Sequence, residues 1–66
     1  MNIQLNGEQT QLPDAITVAE MIERLNLEPR RIAVEINEDV VPRSEFPQRR
    51  LHPDDRVEVI HAIGGG

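Results

Sequence analysis

Val57-Glu58-Val59-Ile60-His61-Ala62-Ile63-Gly64-Gly65-Gly66 is an alternating apolar segment that runs straight into three glycines. Val57 and Val59 fall on one face and Glu58 on the other, the period of a β-strand half buried against a core. Ile60 and Ala62 are out of phase with the valines and are expected to face outward. Glycine loses more conformational freedom on ordering than any other residue, so the run is not there to stabilise a fold. It suits passage through a narrow channel instead. Six residues beyond Ile60, at an extended ~3.3 Å each, reach roughly 20 Å, enough to enter another protein's active site. The expectation is a folded body, residues 1–63, that presents the α-carboxylate of Gly66 on a flexible tail, residues 64–66. The competing reading is a frayed end with no role.

Working back from that strand, the first element supplies its natural neighbour. Ile3 and Leu5 alternate with Asn2 and Gln4, and Asn6-Gly7 is a strong hairpin signal, because a type I′ turn needs positive φ at both central positions. Gln9 to Leu12 returns as a second strand, closed by Pro13-Asp14. Thr17-Val18-Ala19-Glu20 fits a capping box, with Ile16 placed to staple onto Met21. Val18, Met21, Ile22 and Leu25 then follow at i, i+3, i+4 and i+7, the apolar stripe of an amphipathic helix. Asn26 and Pro29 stop it. Met21 in such a stripe reads as core. Ile32, Val34 and Ile36 alternate as a third strand, and Asn37-Glu38-Asp39 turns into a short strand at Val40-Val41. Pro42 confines that strand to a sheet edge. Arg43 to Arg50 has no clean period, and Phe46 is expected to plug the core from it. His52-Pro53-Asp54-Asp55 is dense in turn formers and delivers the final strand, Arg56 to Ile60.

One helix and one mixed sheet must bury each other's apolar faces, an α+β arrangement in two layers. The last strand belongs in the middle of the sheet, beside the first and parallel to it. That is the β-grasp architecture, in ββαββ order with a short edge strand.

Composition narrows the function. The chain is 66 residues long with a net charge of −5, seven arginines, no lysine and no cysteine. An acidic chain with Phe46 as its single aromatic lacks both the basic face and the stacking platform that nucleic acid demands. His52 and His61 lack ligand types nearby, so no metal is expected. No stretch approaches a membrane span and no basic-then-apolar leader precedes the first strand, so the expectation is a soluble, cytoplasmic protein without membrane contact. His61, Arg30-Arg31 and Arg49-Arg50 read as solvated.

Across its whole length the chain resembles the sulfur carriers of thiamine biosynthesis, the ThiS family of ubiquitin-like β-grasp proteins. The resemblance is carried by Val34-Glu35-Ile36-Asn37-Glu38-Asp39-Val40-Val41-Pro42-Arg43-Ser44-Glu45-Phe46, by Leu51-His52-Pro53-Asp54-Asp55-Arg56-Val57-Glu58-Val59, and by the terminal Gly-Gly. The third glycine is a departure, since some relatives end in two. The resemblance implies a protein cosubstrate rather than an enzyme. A ThiF-like adenylating enzyme would use ATP to activate the Gly66 carboxylate, with no cofactor bound permanently by the carrier. A cysteine desulfurase or other persulfide donor would supply sulfur to make a thiocarboxylate, and a ThiG-like thiazole synthase would consume it. Gly64 and Gly65 would thread the partner's channel, while Ile60, Ala62 and Ile63 would dock beside it. Three alternatives remain open on sequence: a molybdopterin-synthase-type carrier subunit, a ubiquitin-like modifier that forms isopeptide bonds, and a plain binding module with an incidental tail.

Overall fold

The computed structural model describes residues 1–61; Ala62, Ile63 and the three glycines lie outside the described residues, and so do the expectations that rest on them. Five strands form a single sheet: β1 (Asn2–Leu5), β2 (Glu8–Gln11), β3 (Ile32–Ile36), β4 (Asp39–Val41) and β5 (Arg56–His61). Their order is β2-β1-β5-β3-β4. β5 lies in the centre, parallel to β1 and antiparallel to β3. One helix, α1 (Val18–Arg24), covers one face of the sheet, and two 3₁₀ turns, Pro29–Arg31 and Arg43–Glu45, complete the elements of the described residues. This is the α+β, β-grasp arrangement expected from the order of elements.

The helix forms where its caps allow. The Thr17 hydroxyl accepts from the Glu20 amide at 3.1 Å, and the Glu20 carboxylate accepts from the Thr17 amide at 2.9 Å, closing both ends of the capping box. α1 stops at Arg24, one residue short of the apolar stripe, because the chain reverses through Asn26 at φ +56°. The Asn26 amide reaches the Glu23 carbonyl at 3.1 Å and the Leu27 amide reaches the Ile22 carbonyl, also at 3.1 Å. Those two bonds make a Schellman ending with asparagine in the left-handed position. Val18, Met21 and Ile22 bury against Ile3, Val34, Ile36 and Val57 from the sheet, and Phe46 and Leu51 close the core from the loops.

Both hairpins turn on two residues of positive φ. Asn6 and Gly7 lie at φ +50° and +83°, and Asn37 and Glu38 at +51° and +73°. The second turn is tighter than the three residues expected, so β4 begins at Asp39. A glutamate in the left-handed region is uncommon, so Asn37-Glu38 lacks the Asn-Gly signal that marked the first turn as a two-residue one. The return strand β2 runs Glu8–Gln11 rather than Gln9–Leu12. Leu12 drops out of it into the core, although its amide still donates to the Met1 carbonyl at 3.0 Å.

Candidate functional site

The candidate site is the end of β5, and its construction begins at the strand's base. Asp55 is buried at 8% exposure, which would be costly for a carboxylate without partners. It accepts from the His52 amide at 2.8 Å and from the Asn37 side-chain amide at 3.1 Å. The Asn37 side-chain oxygen Oδ1 in turn accepts from the Arg56 backbone amide at 3.0 Å, and the Asn37 backbone amide donates to the Arg56 carbonyl at 2.8 Å. The turn before β5 and the turn after β3 are therefore stitched into one knot, from which β5 emerges in fixed register.

Along its length β5 is held unequally. On the β3 side the pairing is continuous from Ile36 opposite Val57 to Ile32 opposite His61. On the β1 side two residue pairs suffice, Gln4 with Arg56 and Leu5 with Val57, before β1 ends. Asn6 then takes over: its amide donates to the Val57 carbonyl at 2.9 Å and its side-chain carbonyl accepts from the Val59 amide at 2.8 Å.

Among the described residues, nothing covers the face of the sheet turned away from α1. Val57 and Val59 point inward as expected, and Ile60 lies outward at 47% exposure, opposite Ala33 on β3. Val40 on the edge strand is more exposed still, at 68%, and stands opposite Glu35. Glu35 also faces Glu58 directly across the β3–β5 ladder, a like-charge pair on one surface. Arg56 is the one arginine on a strand, and its guanidinium lies 3.7 Å from the Glu38 carboxylate. The other arginines belong to α1, the 3₁₀ turns and the loops, so the open face presents a small apolar area within an acidic surround. Of the expected docking residues, Ile60 is where the alternation put it. Ala62 and Ile63 lie outside the described residues, as do Gly64, Gly65 and Gly66.

Residues 3–66 match the family model of the ThiS family. The chain belongs to that family. Among its relatives, the sulfur carrier protein ThiS of Thermus thermophilus is 37% identical over 62 residues, a match covering 94% of this chain and 95% of that one. A thiazole synthase of Magnetococcus marinus is 39% identical over 66 residues, all of this chain but only 20% of that longer protein. Among solved structures, the crystal structure of the thiamine biosynthesis protein ThiS from Geobacter metallireducens superposes with a TM-score of 0.88 at 28% identity, each chain covered over 100% of its length.

Sequence reasoning missed three contributors. Asn6 and Asn37 were read as turn formers alone, and the reach of their side chains to β5 leaves no local signal. Val40 could have been found: in a three-residue strand whose end residue Val41 is buried, the neighbour must point outward.

Proposed function

We propose that this chain is a sulfur carrier of thiamine biosynthesis, whose Gly66 carboxyl group is the chemically active atom set and whose β-grasp body is the handle. The observation that carries the reading is β5 itself. It is a central strand, locked at its base by Asp55 and Asn37, that ends two residues before the glycine run of the sequence and leaves Ile60 exposed one residue before its end. Membership of the ThiS family supports it, and so does the carrier-like segment contained in a thiazole synthase of Magnetococcus marinus.

The chemistry proceeds in three steps. A carboxylate is a poor electrophile, so a ThiF-like enzyme transfers AMP from ATP to the Gly66 carboxylate and releases pyrophosphate. The terminal sulfur of a donor persulfide attacks the carbonyl carbon and expels AMP, giving an acyl persulfide. A thiol then cleaves the S–S bond, leaving the Gly66 thiocarboxylate and a disulfide. Thiazole synthase takes that sulfur, and an oxygen atom returns to restore the carboxylate. Gly64 and Gly65 allow the backbone to pass where a Cβ would collide. The body supplies no acid, base or nucleophile to these steps; the open face around Ile60, Ala33 and Val40 offers the docking surface.

Intact-mass spectrometry tests the reading. After incubation with the adenylating enzyme, ATP, cysteine and a desulfurase, the protein should gain the mass difference between sulfur and oxygen, and deletion of Gly65-Gly66 should abolish the gain. Covalent adducts to lysines of other proteins would indicate a modifier instead. A permanent complex with a large synthase subunit would indicate a molybdopterin-type carrier. No change with a competent enzyme would leave only a binding module.

A further inference from the structure

We propose that Asn6 is a positioning residue for the reaction at Gly66: its side-chain carbonyl continues β1's hold on β5 past the end of β1 and sets the direction in which the chain leaves the sheet. The inference rests on the carrier reading above. Along the β1 side of β5 the bonds fall at every second residue: Gln4 amide to Asp55 carbonyl at 2.9 Å, Asn6 amide to Val57 carbonyl at 2.9 Å, then Val59 amide to Asn6 Oδ1 at 2.8 Å. The third of these cannot come from the main chain, because β1 turns away through Asn6 and Gly7, both at positive φ. A side-chain carbonyl on the turn residue fills the vacant place in the ladder. Of the residue types that tolerate the left-handed region, only asparagine and aspartate carry an oxygen at that reach, and glycine, equally at home in the turn, has none.

The place of this bond matters. Val59 is two residues before His61, and the described β1-side contacts of β5 end there, while pairing with β3 continues to His61. A strand gripped on one side can hinge about its remaining ladder; one gripped on both sides as far as Val59 can hinge only beyond it. Six residues follow Ile60 in the sequence, and if they run extended at ~3.3 Å each, a small change of exit angle becomes ångströms at Gly66; misplacement on that scale is costly to a reaction that depends on orientation.

The experiment separates turn, bond and reaction. Asn6→Gly keeps the positive φ and removes the acceptor; Asn6→Asp keeps both. Amide exchange and ¹⁵N order parameters are read on each free protein. ATP–pyrophosphate exchange with the ThiF-like adenylating enzyme gives kcat and KM for each carrier. In Asn6→Gly the Val59 amide should exchange about fivefold faster, the factor that one neutral hydrogen bond contributes. Order at Ile60 and His61 should drop, and kcat should fall several-fold with KM held within about twofold, since the docking face is untouched. Asn6→Asp should restore all three. A merely structural role would lower the unfolding midpoint without that split. Parental kcat in Asn6→Gly, unchanged order at Ile60 and His61, or failure of Asn6→Asp to rescue would each overturn the role of Asn6 alone. An absence of exchange with the parent protein would instead overturn the carrier reading, and this role with it.

Discussion

At the scale of single residues, the Thr17–Glu20 box carries a charge dependence that can be measured. The Glu20 carboxylate accepts from the Thr17 amide at 2.9 Å and from the Thr17 hydroxyl at 3.0 Å. The backbone bond first and the hydroxyl bond second hold its pKa below the usual 4.5; desolvation opposes them, and the nearby Arg50 charge adds a lesser lowering. A carboxyl whose folded pKa is depressed contributes stability that is complete above the unfolded value and is lost as pH falls through the folded one. Unfolding midpoints measured from neutral pH down through and below 4.5 should therefore fall, and Glu20→Gln should flatten part of that slope while losing some stability at neutral pH. An unchanged slope in Glu20→Gln would remove Glu20 as a source. This box was legible because its partners are three residues apart. The bonds that seat β5 were not: Asn37 and Asp55 are 18 residues apart, and Asn6 and Val59 are 53 apart. Local spacing rules carry no information about such pairs, and asparagine in a turn is already explained by the turn.

Among the elements, the segment without a period explains itself once folded. Residues 43–50 are neither helix nor strand for most of their length, yet their carbonyls complete α1. The Val18 amide donates to the Arg49 carbonyl at 2.8 Å and the Ala19 amide to the Phe46 carbonyl at 3.0 Å, while the third early amide, Glu20, goes to the Thr17 hydroxyl. A helix of seven residues has few internal bonds, so supplying its first amides from a distant loop is a substantial part of its stability. Phe46 anchors that loop with 4% exposure. Phe46→Ala should cost about 3–5 kcal/mol, from lost burial and the cavity together. Because the same loop caps α1, urea unfolding followed by helical ellipticity and by amide exchange at Val18 and Ala19 should show the two lost together. Loss of stability with protected Val18 and Ala19 amides would separate the plug from the cap. Phe46 as a plug was readable, as the lone aromatic in a small chain. The cap was not, since a carbonyl has no residue type and cannot be seen in a sequence. The strands and the helix were readable because burial on one face imposes periods of two and 3.6, and their central pairing followed from the apolar inward face of β5.

For the whole molecule, the sheet divides the protein into a closed side and an open one. The closed side is occupied by α1 and the loop around Phe46, which leaves the outer face of β3, β4 and β5 as the surface nearest the exit of the chain. That face carries Glu35 and Glu58 on its strands and only Arg56 in return, so a partner with an apolar spot inside a basic rim would match it. Among the described residues of that face, Ile60 is the closest to Gly66 in the chain, and it can be tested apart from stability. It is 47% exposed and contributes little to the core, so Ile60→Ser should leave the urea midpoint within about 0.5 kcal/mol of the parent. Val57→Ser, three residues away on the buried face, should be severely destabilised. If Ile60 is the apolar anchor at the mouth of the partner's channel, Ile60→Ser should raise KM for adenylation about tenfold, equivalent to about 1.4 kcal/mol, with kcat nearly unchanged. That signature is the opposite of the one expected for Asn6, where kcat falls and KM holds. A body that docks through one residue and aims through another requires both patterns; Ile60→Ser with parental KM would move the docking surface off this face.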